Sequence, residues 1–233
     1  MPTRPESRIG PITAITGAVI LFVGTYLHPM SADPNVALAA FTEYAASGNW
    51  VAIHLMQLFG VVLIAASLVL LSRKMAEGPA AEWATLGAAG AIASVAIAAA
   101  LQAVDGVALK FMVDMWAATP EPAMFSAALG VRQIEVGLAS MTSLLLGLTA
   151  AIYGIALLID GRFPGWIGVV AIVGGVPTAV AGVVMAHTGF SNAAMVLGMP
   201  SNSLLIVGMI ILGVYEWKRP VVQAPRDQKV ALQ

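Results

Sequence analysis

His54 and Gln57, Gln102 and Asp105, and Arg132 and Glu135 each stand three residues apart in the chain. On a helix that spacing puts both members on one face, so three segments each present a polar pair. The histidines His28, His54 and His187 complete the set of groups able to hold a metal or move a proton. Three histidines on separate helices suit a zinc ion, with Asp105 or Glu135 as base. Two of them could instead be the axial ligands of a b-type haem. Arg132 is a planar, fully charged donor shaped for a carboxylate or phosphate, and the flanking amides of Gln57 and Gln102 could orient a small polar molecule. The plainer alternative is structural, with Asp105 and Arg132 as an ion pair tying two helices together.

No local motif selects among these readings. The chain has no His-Glu-x-x-His, and no Gly-x-Ser-x-Gly elbow supports a serine hydrolase, Ser140 and Ser143 lying within an apolar stretch. Catalytic residues are therefore left unassigned. The absence of cysteine excludes disulfides, thiolate zinc sites, iron–sulfur clusters and covalent c-type haem. Met112, Met115, Met185, Met195 and Met199 are too scattered for a copper site and read as packing. Lys110 and Asp114, four apart, read as a solvated helical pair.

The elements carrying these residues are set by composition. Of 233 residues 59% are hydrophobic and 10% charged, whereas a soluble domain carries about 25% charged residues. A net charge of −1 offers no field for nucleic acid. The class is an all-α polytopic membrane protein, with the lipid bilayer as its first partner. About 20 apolar residues make a span, and six are expected, at about 11–27, 51–71, 83–104, 136–159, 166–186 and 203–215. They form one domain over 1–220, followed by a disordered tail at 221–233. The sixth is short unless its helix begins before Pro200.

Arg4, Arg8, Arg73, Lys74, Arg162, Lys218, Arg219, Arg226 and Lys229 all fall on one side of this arrangement. Basic residues stay in the cytoplasm, so both termini are expected there. Arg4 and Arg8 before an apolar run also resemble a signal peptide, but Met30 and Ala32 make a poor cleavage site, so the first span is expected to remain. The three polar pairs and the three histidines then gather at the outer ends of the spans. Laid antiparallel around Thr119, the third and fourth helices put Asp105 opposite Arg132 and Gln102 opposite Glu135.

Several local features follow. Asp33-Pro34 reads as an N-cap and first helical residue, giving a short helix over 34–46 whose Leu38, Phe41 and Ala45 face the membrane surface. Helical pattern runs from Glu82 towards Trp116 and from Glu121 to Asp160, longer than a bilayer needs, so these two helices project outward as a hairpin. The small residues between Ala84 and Ala103 predict a centrally packed third helix, and Pro177 predicts a kink in the fifth. Trp50, Trp116, Trp166 and Trp217, with Tyr26 and Tyr215, read as an interfacial aromatic belt.

The stretches His28-Pro29-Met30 with Asp33-Pro34, Leu101 to Lys110, and Val131 to Gly137 resemble a family of uncharacterised six-span bacterial inner-membrane proteins with a domain of unknown function. The resemblance implies the architecture and the bacterial inner membrane; it brings no activity and no site residues. The expectation is thus an outward-facing polar pocket of His54, Gln57, Gln102, Asp105, Arg132 and Glu135 that binds or moves a small polar or anionic molecule. The alternatives are a haem- or metal-dependent membrane enzyme using His28, His54 and His187, and a structural or partner-binding protein.

Overall fold

The computed structural model describes residues 8–218. The tail at 221–233 lies outside the described residues, as do Arg4, Arg219, Arg226 and Lys229. The chain is helical: α1 (Ile9–Leu27), α2 (Ala37–Ala46), α3 (Trp50–Met75), α4 (Ala81–Gln102), a π-helical stretch (Ala103–Leu109), α5 (Lys110–Ala118), α6 (Pro122–Asp160), α7 (Gly165–Thr188) and α8 (Asn192–Lys218). Among the described residues, six helices are long and apolar enough to cross a membrane, α4, the π stretch and α5 counting as one rod, Ala81–Ala118. Exposed Phe22, Leu55, Ile92, Val173 and Val196 have no place in water, and together with the six helices they mark an integral membrane protein.

The ends of these helices follow local rules. Pro122 starts α6 at the first helical position, where its missing N–H is no loss. Gly161 ends it with φ 69°, a left-handed conformation that only glycine adopts cheaply. Arg73 and Lys74 close α3, and Lys74 reaches Glu216 of α8 at 2.9 Å. Through Pro177, α7 remains helical from Gly165 to Thr188. The sixth span begins well before Pro200, at Asn192, which gives it ample length.

Packing makes a closed ring. α1 lies on α3, α3 on α4, α4 on α6, α6 on α7, α7 on α8, and α8 returns to α1. Small residues set the closest crossings, because without a hydrophobic drive between helices in lipid close backbone approach is what holds them. The alanine-rich α4 is one stave of this ring and not its centre: its small residues admit the Tyr153 ring beside Gly87 and Thr149 beside Gly90.

At one end the ring is closed by Leu71, Met75, Tyr153, Leu157, Phe163 and Leu212. There the Tyr153 hydroxyl donates to Leu68 O at 2.8 Å and meets Ser72 Oγ at 2.7 Å. At the other end α6 rises past the ring. Its 39 residues extend about 58 Å at 1.5 Å each, against a hydrocarbon core of about 30 Å. The hairpin of α5 and α6 projects there as the sequence predicts, and α2 leans on it to form a cap.

The cap corrects the expectation for α2. The helix begins at Ala37 and not at Pro34, because Asp33 spends its side chain on a turn, accepting the Asn35 N–H at 2.9 Å. Phe41 is fully buried against Trp116 and Phe125 at ring distances of 6.2 and 5.4 Å, while Leu38 is exposed. The apolar face of α2 therefore serves the cap. Glu43 secures the loop before it, accepting the N–H groups of Ser31 and Ala32, each at 2.9 Å. Desolvation raises the Glu43 pKa, but those two backbone donors outweigh it and hold the group below the ordinary carboxylate value.

Candidate functional site

Trp50 departs from the aromatic belt and organises the site instead. It is 1% exposed and donates its indole N–H to Asp105 O at 3.0 Å. Asp105 lies in the π stretch, whose i→i+5 winding places more residues in each turn and rotates their side chains around the axis. Gly106 makes the approach possible, since a Cβ there would stand 2.5 Å from His54 Cβ. Asp105 is thereby turned towards α3 and away from α6.

The ion pair expected between Asp105 and Arg132 is accordingly replaced by two others. Asp105 Oδ2 lies 3.0 Å from His54 Nε2. Arg132 Nη1 donates to Glu135 Oε2 at 2.5 Å, within the same helix. Arg132 also donates to Pro34 O at 3.3 Å and sits 5.5 Å from the Tyr44 ring and 4.8 Å from that of Phe190. Burial pushes the Tyr44 pKa up to about 12, so a neutral phenol faces the guanidinium. Through these bonds and ring contacts Arg132 ties α6 to the loop before α2 and to the loop between α7 and α8.

The other expected pairing is also replaced. Gln102 approaches Gln57 and not Glu135, Nε2 to Oε1 at 3.5 Å. These two amides line the large cavity inside the ring, whereas His54, Asp105, Arg132 and Glu135 do not. Lys110 and Asp114 pair at 2.5 Å as their spacing predicts, but Lys110 is mostly buried and also reaches Ala45 O at 3.4 Å.

The histidines separate. His187 is exposed at the end of α7 and takes no part in the ligand cluster. Among the described residues, His28, His54 and Asp105 form a group whose ligand atoms all lie within 4.8 Å of one another. The rings of His28 and His54 are 5.0 Å apart, edge to face; that contact leaves no slot for a porphyrin between them. His28 Nδ1 and Asp105 Oδ1 are buried and without a partner. Burial, and after it the neighbouring His54, pull the His28 pKa below its ordinary value.

His54 is the most informative residue. Its Nδ1 lies 2.8 Å from Trp50 O, a pure acceptor, so the ring proton belongs there. Its Nε2 then turns a lone pair towards the Asp105 carboxylate at 3.0 Å. Two acceptors face each other, and a proton or a metal ion shared between them reconciles the contact. Sequence reasoning found His28, His54 and Asp105 but drew the third ligand as His187. It had no access to Trp50, Tyr44 and Phe190, whose roles depend on the cap; Gly106 beside Asp105 was the one readable sign of a close approach. No family model, curated protein or solved structure matches this chain.

Proposed function

We propose that the protein is a multi-pass bacterial inner-membrane protein that binds a divalent transition-metal ion, zinc foremost, at His28, His54 and Asp105 on its outer side. The arrangement around His54 carries this reading. Metal-bound histidine characteristically donates its second ring N–H to a carbonyl or carboxylate, and His54 Nδ1 has Trp50 O in that position. Two ligand atoms on one tetrahedral zinc stand roughly 3.3 Å apart, given bonds of about 2.0–2.1 Å. The separation of His54 Nε2 and Asp105 Oδ2, 3.0 Å, is close to that. His28 Nδ1, buried and without a hydrogen-bond partner, supplies the third donor.

Three protein ligands leave a fourth position open, and a zinc ion so held polarises a carbonyl or lowers the pKa of a bound water. His54 and Asp105 are fixed by Trp50 and the π stretch, so the ligands need little rearrangement. Glu135, held by Arg132, stands on the facing helix within the same cap. The outward orientation is supported by Arg73, Lys74 and Arg162 at the opposite end of the ring.

Purified protein titrated with Zn²⁺ or Co²⁺ is expected to bind one ion per chain, with the visible bands of tetrahedral Co²⁺. His54→Ala and Asp105→Asn lose that ion; His187→Ala keeps it. Protein that takes up neither metal would leave a plain His54–Asp105 hydrogen bond at the site and overturn the reading. Orientation is tested separately, because the chain has no cysteine of its own. A cysteine at Ala32 should react with an impermeant maleimide on intact spheroplasts, and one at Glu77 only after lysis. The reverse pattern would put the metal site in the cytoplasm.

A further inference from the structure

The ring of spans is hollow. A cavity of about 470 Å³ runs along its axis, bounded by all six spans. Along α3 its lining extends from Gln57 to Leu71, about 21 Å at 1.5 Å per residue. Small-molecule sites occupy about 300–1,000 Å³, and this one is long for its volume. Its wall is apolar over most of that length.

Polar side chains occur along the cavity, among them Ser94, Thr149 and Asn202, and the two amides Gln57 and Gln102 stand at the capped end. Gln102 and Thr142 both line the cavity, and both carry a buried oxygen, Oε1 and Oγ1, with no hydrogen-bond partner. Thr142 is 8% exposed. Leaving such groups unpaired in a low-dielectric interior costs about 1–3 kcal/mol each, so an occupant that donates to both oxygens gains over a purely apolar one. The contacts of Gly87 with Tyr153 and of Gly90 with Thr149 fix the antiparallel register of α4 and α6. In that register Thr142 lies about 7 Å deeper than Gln102. A molecule with two hydroxyls at its head would reach both oxygens.

We infer that the axial cavity binds one single-chain amphiphile, its hydroxyl-bearing head at Gln57, Gln102 and Thr142 and its apolar chain directed towards Tyr153 and Leu157. The head lies one helical turn below His54 and Asp105, since Gln57 follows His54 by three residues and Gln102 precedes Asp105 by three. The inference stands without the metal, because it rests on the cavity and its unpaired oxygens alone.

Radiolabelled 1-monopalmitoylglycerol is the probe, added to full-length protein in phosphatidylcholine nanodiscs and compared with empty discs. One saturable site per chain is expected above the partition into empty discs. Gln102→Leu and Thr142→Val, which keep volume and remove the acceptors, should each weaken binding about tenfold. Ala98→Phe, on the cavity wall, should abolish it; Leu146→Phe is the second filling variant, used if the first lowers the melting temperature. Uptake no greater than in empty discs would overturn the inference. So would equal competition by hexadecane, which has no head, or by dipalmitoylphosphatidylcholine, which would assign the cavity to a two-chain bilayer lipid. Unchanged binding in both acceptor variants would also overturn it.

Discussion

Arg132→Gln is expected to destabilise the protein in detergent by about 3–5 kcal/mol, the cost of removing one member of a buried ion pair. Glu135 is 3% exposed and its only charged hydrogen-bond partner among the described residues is Arg132, so the variant strands a carboxylate. The same change releases Pro34 O and the faces of Tyr44 and Phe190, loosening the loops that close the cap. Replacing both residues by leucine removes the stranded charge and should recover much of the loss, though not the contacts to Pro34 and the two rings. A double-mutant cycle on thermal unfolding separates the possible partners. Coupling between Arg132 and Glu135 should exceed about 1 kcal/mol, and coupling between Arg132 and Asp105 should be smaller, as befits groups that do not touch. A larger coupling to Asp105 would restore the pairing read from antiparallel register and contradict the geometry of the π stretch.

That contrast shows where the sequence is legible. Spans are written in composition, because bilayer thickness demands a length and an apolar content that single residues cannot disguise. The long helices around Thr119 and the i,i+3 and i,i+4 pairs are legible for the same kind of reason: helical periodicity is local. The Asp105 partner is not. Antiparallel register alone sets Asp105 opposite Arg132, whereas in the structure Asp105, within the π-helical turns at Ala103–Leu109, meets His54. Nothing in Val104-Asp105-Gly106-Val107 announces a change of winding except the glycine.

Burial at the cap is equally hidden. Trp50 and Phe41 look like interfacial residues in isolation, since an aromatic near a span end usually faces the headgroups. They are core residues here because α2 folds back onto the α5–α6 hairpin and covers them. The axial cavity has no local signature either. It arises because the six helices pack chiefly against their neighbours in a ring, a property of the whole arrangement and of no one segment.

The glycines that draw those helices together give the second large effect. Gly60→Ala is expected to destabilise the protein by about 1–3 kcal/mol, the usual cost of overpacking a tight core. A Cβ at Gly60 would stand 2.7 Å from Leu21 N and 2.9 Å from Gly17 O, and one at Gly17 would stand 2.9 Å from both Gly60 O and Ile64 N. These neighbours are backbone, so no rotamer change relieves the clash and α1 must move off α3. Gly137→Ala is the control with the opposite sign. Nothing lies within 4 Å of its Cβ position, and alanine in a helix interior is favoured over glycine by about 1 kcal/mol. Thermal unfolding of Gly60→Ala, Gly17→Ala and their combination should show losses that are less than additive, because the first substitution already parts the two backbones that the second would crowd. Since α1 also closes the ring against α8, where a Cβ at Gly213 would stand 2.7 Å from Ile15 Cγ1, parting α1 from α3 opens the axial cavity to lipid. Gly60→Ala should therefore lose the saturable monoglyceride site along with stability, while Gly137→Ala keeps it; wild-type stability in Gly60→Ala would mean that α1 and α3 do not cross at these glycines.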